Sequence, residues 1–155
     1  EEVQETLYDS WTDIVLQECI DSDSGCPGLT EGRHEINVNV VNGHLAGGRL
    51  KVFDDDTYVA AAFGSKGITL QGLANDSLPE SLRVFLEHID QKLLQWSPRL
   101  YRLDFMHTDA GCQVVEINSR PGVMHREKEG DHYWEFNGRI VEMLTQEIHH
   151  PTSLQ

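Results

Sequence analysis

Basic residues are scarce in this sequence: Lys and Arg number 12 against 26 Asp and Glu, a formal net charge of −14. That balance excludes binding nucleic acid through its phosphate backbone, which needs a basic surface. Cysteines are few and odd in number, Cys19, Cys26 and Cys112, with no C-x-x-C spacing. Neither a disulfide framework nor a zinc site is indicated, and a reduced, cytoplasmic compartment is the expectation. No run is long or apolar enough to span a bilayer, no signal-peptide pattern opens the sequence, and no internal repeat appears, so no membrane partner is expected. What is present is a hydrophobic share of 39% in 155 residues, enough for one domain with its own core. That domain is expected over residues 1–150, with 151–155 as a tail.

The most informative stretch is RLDFMHTDAGCQVVEINSRPG, Arg102 to Gly122. Leu103 and Phe105 alternate with Arg102 and Asp104, Thr108 to Gly111 supplies turn chemistry, and Gln113 to Asn118 returns as a second strand. A fold-back centred on Ala110 sets Asp104 opposite Glu116 and Arg102 opposite Asn118. Side chains alternate along a strand and cross-strand partners point the same way, so Arg102, Asp104, Met106, Val114, Glu116 and Asn118 share one face. Leu103, Phe105, Val115 and Ile117 take the other, a core face. Two carboxylates side by side repel unless a cation sits between them. Oxygen ligands of this kind suit magnesium, which prefers a few carboxylates with phosphate oxygens and water to an all-protein cage. The plainer alternative is a solvated polar face on a half-exposed sheet.

Around this hairpin the chain divides by pattern. EEVQETLYDSW has helical spacing, and Ile14 to Ile20 reads as a buried strand. Asp21 to Arg33 is loop by composition and long for a compact domain, which suggests a mobile or inserted segment. His34 to Leu45 alternates and turns at Asn42-Gly43, a strong hairpin signal. Asp54 to Asp56 reads as an acidic turn, and Tyr58 to Phe63 as a strand. Gly64 to Gly67 lacks the phosphate-loop frame and reads as a turn with Lys66. Ser77 is the expected cap of a helix from about Pro79 through Trp96, with Leu82, Phe85, Leu86, Ile89 and Leu93 on one face. Val123 to Asp131 is a polar loop holding His125, Arg126 and Lys128. His132 to His149 is a closing helix with Trp134, Ile140, Val141, Leu144 and Ile148 at its apolar positions.

An acid followed, after a turn, by E-x-N and then R-P-G resembles the metal-binding hairpin of the ATP-grasp superfamily of carboxylate-amine ligases. The matching residues are Asp104, Glu116, Asn118, Arg120 and Pro121-Gly122. The tail from Pro121 also looks like the cyanophycin synthetase and bifunctional glutathione synthetase branch. The resemblance implies that Asp104, Glu116 and Asn118 hold Mg2+ (or Mn2+) bridging the phosphates of ATP. It implies that Gln17, Glu18, Cys19 and Ile20 form the hinge whose main chain reads adenine, and that Met106 presses on the base. HEINVNVVNGHLAGGRLKV resembles the family's next strand pair, which would give Glu35 to the ribose hydroxyls and Arg49 to the phosphates or the acyl intermediate. Asn37 stands where related ligases often carry Arg, and a solvated strand edge is the other reading of Arg49 and Lys51. Arg102 and Arg120 would join Arg49 as the catalytic cations.

The expected fold is α+β: a mostly antiparallel sheet with helices packed on one face, the C-terminal subdomain of an ATP-grasp unit. The family's N-terminal domain and glycine-rich lid are missing from it. The implied reaction joins a small carboxylate to an amine with ADP formed from ATP. The competing reading is a non-catalytic module that binds nucleotide or a partner.

Overall fold

Asn42 and Gly43 both hold positive φ, 49° and 87°, as a two-residue hairpin turn requires. They join β1 (His34–Val41) to β2 (His44–Phe53). The computed structural model describes residues 18–54, 67–121 and 131–149. Three further strands complete one sheet: β3 (Ile68–Leu73), β4 (Leu100–Thr108) and β5 (Gly111–Asn118). Their order is β3-β2-β1-β4-β5, with each neighbouring pair antiparallel. Two helices, α1 (Glu80–Lys92) and α2 (Asp131–His149), complete the α+β arrangement. Among the described residues no helix is long and apolar enough to cross a membrane.

Period-two alternation decides what each face of the sheet meets. Ile36, Val38 and Val40 of β1 pair across the sheet with Phe105, Leu103 and Tyr101 of β4. Together with Leu50 and Leu73 they form a buried core closed by Leu78, Leu82 and Leu86. Phe85 meets Phe105 ring to ring at 5.2 Å. This is the face α1 was expected to cover. The intervening residues of β1, Glu35, Asn37 and Asn39, point to the opposite face and are buried too. At one end of that face Val41 and Ala46 pack against Phe136 of α2, with Leu100, Tyr133, Ile140 and Met143 around them. The polar positions therefore lie between this apolar end and the open end of the sheet.

Several expectations need correction. Glu18 to Ile20 is not strand, and Glu18 and Cys19 are exposed. The segment leads directly into a turn in which Asp21 Oδ1 accepts the N–H of Asp23 and Gly25 N–H bonds Ser22 O. The 21–33 loop is tied down: Cys26 bridges Thr30, Arg33 pairs with Asp23 at 2.7 Å, and Ser22 Oγ donates to His34 O. Ser77 does not cap α1. Its hydroxyl turns back to Ala74 O at 2.7 Å inside a 3-10 turn, and Pro79, which has no N–H, starts the helix. The helix ends at Lys92 and continues only as a 3-10 turn at Leu94–Trp96. β3 had no sequence reading of its own.

β5 lies at the sheet edge, so Ile117 is exposed and Val115 only half-buried rather than core. Helix α2 buries Phe136, while Trp134, Val141, Leu144 and Ile148 of the expected apolar set are exposed and only Ile140 packs on the cluster. Residues 1–17, which include Gln17, lie outside the described residues. So do the expected strand at 58–63, Lys66, the loop with His125, Arg126 and Lys128, and the 151–155 tail.

Candidate functional site

The polar face of the sheet is a grid set by strand register. One row runs Arg49 (β2), Asn37 (β1), Asp104 (β4), Glu116 (β5), each residue opposite the next. Three strand spacings separate its ends, about 14 Å. A second row sets Asn39 opposite Arg102 and Arg102 opposite Asn118. A third sets Lys51 opposite Glu35. Extending the β1–β4 register by one residue brings Glu35 beside Met106, which itself pairs with Gln113. Asp104 thus stands opposite Glu116, and Arg102 opposite Asn118, as the fold-back implied.

Beyond Asp104 the register slips. Phe105 pairs with Val114, which leaves Val115 as the extra residue of a β-bulge. Val114 consequently moves out of line with Met106, and Gln113 takes its place. The bulge sits directly beside the paired acids, where it turns the hairpin tip relative to the row that carries them.

The two buried carboxylates of this face, Asp104 and Glu35, are each paired with a cation. Arg102 donates to both oxygens of Asp104, Nε to Oδ1 at 2.8 Å and an η nitrogen to Oδ2 at 3.0 Å. The Asp104 side chain is 7% exposed and that of Arg102 28%. Burial pushes the Asp104 carboxyl above its ordinary pKa, against the pull of Arg102 and with a further push from the charge of Glu35. Lys51 Nζ and Asn37 Nδ2 both donate to Oε1 of Glu35, at 2.5 and 2.7 Å. Arg49 is half-buried, and burial with the like charge of Arg102 lowers its pKa from the ordinary guanidinium value.

Glu116 is exposed, with a long contact of 3.5 Å from Asn118 Nδ2. Asn118 Oδ1 accepts the backbone N–H of Arg120 at 2.9 Å, and the Arg120 side chain is exposed. Among the described residues no group of three or more His, Cys, Asp or Glu converges as a metal cage. The donor set of Asp104, Glu116 and Asn118 is two carboxylates and an amide oxygen on one face. It fits a hard cation that keeps water and ligand oxygens in its shell. To serve it, Asp104 must exchange its arginine.

Next to the Met106–Gln113 end of the face is a depression of about 540 Å³. Glu18, Cys19 and Ile20 line one side, and Thr108, Asp109, Ala110 and Gln113 at the hairpin tip line the other. Glu18, Cys19 and Ile20 of the expected hinge are therefore brought to the hairpin even though these three form no strand. Asp104 lies two residues along β4 from Met106, about 7 Å. A second depression, about 640 Å³, lies at the other end of the sheet by Gly43, His44, Asp90 and Arg139 and touches none of the expected site residues.

Sequence reasoning missed Asn39 as part of the buried polar face. The signal was available: Glu35, Asn37 and Asn39 alternate with Ile36, Val38 and Val40, so a central strand had to bury polar groups on one side. It also treated Lys51 as strand edge, whereas Lys51 neutralises Glu35. Nothing in the sequence marks the Arg102–Asp104 pair beyond a spacing of two.

No family model and no curated protein matches the sequence. Solved structures similar to it include D-alanine–D-alanine ligase from Bacillus anthracis. Its ATP complex has 16% identity and a TM-score of 0.48, and a second structure of it has 19% and 0.49. In each case 73% of this chain and 40% of that chain are covered. Another is the ATP-grasp ligase PsnB in complex with a phosphomimetic variant of its minimal precursor, Mg and ADP, at 13% identity, TM-score 0.47, covering 74% of this chain and 34% of that one. The chain thus spans 40% or less of the length of these enzymes.

Proposed function

We propose that this chain is the Mg-ATP-holding, C-terminal part of an ATP-grasp carboxylate-amine ligase that forms ADP through an acyl phosphate. One observation carries the reading. β5, ending in E-I-N, sets Glu116 opposite a buried Asp104, in line with Arg49 and on the sheet whose hairpin tip borders the depression that Glu18 to Ile20 line. Adenine would lie in that depression, read by the main chain of Glu18 and Ile20, with Cys19 between them and Met106 under the base. Glu35, beside Met106, is assigned to the ribose. Asp104, Glu116 and Asn118 would hold Mg2+, or Mn2+ in its place. When bound, the ion would neutralise charge on the phosphate oxygens.

Arg49, Arg102 and Arg120 are assigned to the transferred phosphoryl group. Phosphoryl transfer depends mainly on positioning and on electrostatic stabilisation, so cations carried on the sheet, with Arg120 just past its edge strand, suit it. The overall reaction would phosphorylate a small carboxylate with ATP; attack by an amine on that acyl phosphate would then give an amide and release phosphate. The lid and N-terminal segments of such an enzyme would supply the remaining grip on the triphosphate and exclude water.

The second reading, a module that binds nucleotide or a partner without turnover, is favoured by the closed Arg102–Asp104 pair, which satisfies the site without metal. ADP release from ATP with pooled small carboxylates and amino acids separates the two when run on this chain and on one extended N-terminally. Turnover by the extended chain alone supports the ligase. Nucleotide binding without turnover by either chain supports the module, and equal affinity for ATP and GTP contradicts the adenine hinge in both.

A further inference from the structure

The cations on the polar face have an unequal standing. Lys51 is 18% exposed and holds a Glu35 oxygen that Asn37 also holds, so that pair is locked from two sides. Arg102 is the more exposed partner of a bidentate pair whose carboxylate is buried. It lies opposite Asn118 on one side and Asn39 on the other, and its charge bears on Arg49. A guanidinium on a four-bond tether, beside a like-charged arginine and partly exposed to solvent, is the half of the pair that can leave. Asp104, fixed in a central strand pair, cannot.

We propose that Arg102 is the stand-in cation of the metal-free site: it neutralises Asp104 until a divalent ion arrives, and is then released to an anionic phosphate on the same face. The inference rests on the metal reading of Asp104 and Glu116. Its physical basis is charge. A buried carboxylate without a counter-charge is strongly disfavoured, so the face needs a cation at Asp104 in every state. A guanidinium and a divalent ion in contact with one carboxylate repel each other, so the two take turns. Once displaced, Arg102 has five N–H donors in a geometry that matches phosphate oxygens as well as it matches a carboxylate. Metal and phosphate then help each other: the metal frees the arginine, and the phosphate gives it a partner. By linkage the effect is reciprocal.

Mn2+ binding, followed by electron paramagnetic resonance with and without pyrophosphate, tests this. The parent chain should bind Mn2+ weakly alone and markedly better with pyrophosphate. Arg102→Met should bind Mn2+ alone about tenfold more tightly than the parent, and pyrophosphate should then improve it much less. A second readout needs no mutant: in the parent, the Arg102 Nε–H resonance should be protected from solvent exchange and should lose that protection or shift strongly when Mg2+ and pyrophosphate are added together. If Arg102→Met binds Mn2+ no better than the parent while Asp104→Asn weakens binding, the site stands and the stand-in role is wrong. An Arg102 resonance unmoved by Mg2+ and pyrophosphate at saturation overturns it as well. If Asp104→Asn and Glu116→Gln bind as the parent does, or nothing binds, the metal reading itself has failed.

Discussion

Truncating Asp90 should strongly destabilise the domain, because that carboxylate ties the end of α1 to Arg99 and Tyr101 at the start of β4. It sits in the last turn of α1 and accepts Arg99 Nε at 2.8 Å, a second Arg99 nitrogen, and the Tyr101 hydroxyl at 3.0 Å. Asp90, Arg99 and Tyr101 are 9%, 8% and 4% exposed, so water replaces these bonds only in part. The backbone of Arg99 in turn accepts the Asn42 N–H of the β1–β2 turn at 2.7 Å. Asp90→Ala leaves the guanidinium buried without its charge partner, a loss of about 3 to 5 kcal/mol. The stranded Tyr101 hydroxyl adds to it, though not additively within one network. Domains of this size have a total stability of about 5 to 15 kcal/mol. Urea unfolding followed by far-UV circular dichroism measures the loss. Replacing the network whole, with Asp90→Leu, Arg99→Met and Tyr101→Phe together, should cost less than Asp90→Ala alone, since no buried charge is left behind. A cost below about 1 kcal/mol for Asp90→Ala, or a triple variant as unstable as the single one, would refute the reasoning.

Acid should weaken the fold through His34. The ring is fully buried, Nδ1 hydrogen-bonds Gly32 O at 3.0 Å, and Nε2 accepts the His107 N–H at 3.2 Å, an arrangement of the neutral ring. Burial lowers its pKa below the ordinary 6.5. With the folded value depressed, its stabilisation is complete above the unfolded value and is lost as pH falls through the folded one. The urea midpoint of the parent should therefore drop on acidification below pH 6.5, and more steeply than that of His34→Gln; parallel curves would count against it. Gly48→Ala should destabilise by about 1 to 3 kcal/mol through overpacking. Its Cβ would stand 2.6 Å from Asn37 O, backbone that cannot move without shifting the central strand. An unchanged urea midpoint for that variant would mean β1 and β2 are less tightly registered than they look.

Alternation and turn chemistry made the two hairpins legible before any coordinates. Asn42-Gly43 fixed one, and the spacing around Ala110 put Asp104 opposite Glu116. Local pattern could not reveal where β5 sits in the sheet. Val115 and Ile117 read as core residues, yet an edge strand has no neighbour to bury them fully. The bulge at Val115 left no mark either, because an extra residue in a strand need not be Gly or Pro. Ser77 has the chemistry of a cap, but its hydroxyl found a nearer carbonyl. The pairing of Asp104 with Arg102 and of Glu35 with Lys51 is tertiary: sequence shows which residue types share a face, while register and burial decide which of them touch.

Asp104, Glu116 and Asn118 are proposed to hold a divalent ion together with nucleotide phosphates. Calorimetric titration of Mg2+ and ADP into the parent, Asp104→Asn and Glu116→Gln chains tests it most directly. The parent should bind the metal weakly alone and more tightly with ADP, whose oxygens complete an octahedral shell, and each variant should lose most of that gain. Binding of Mg-ADP by both variants with the affinity of the parent would contradict it.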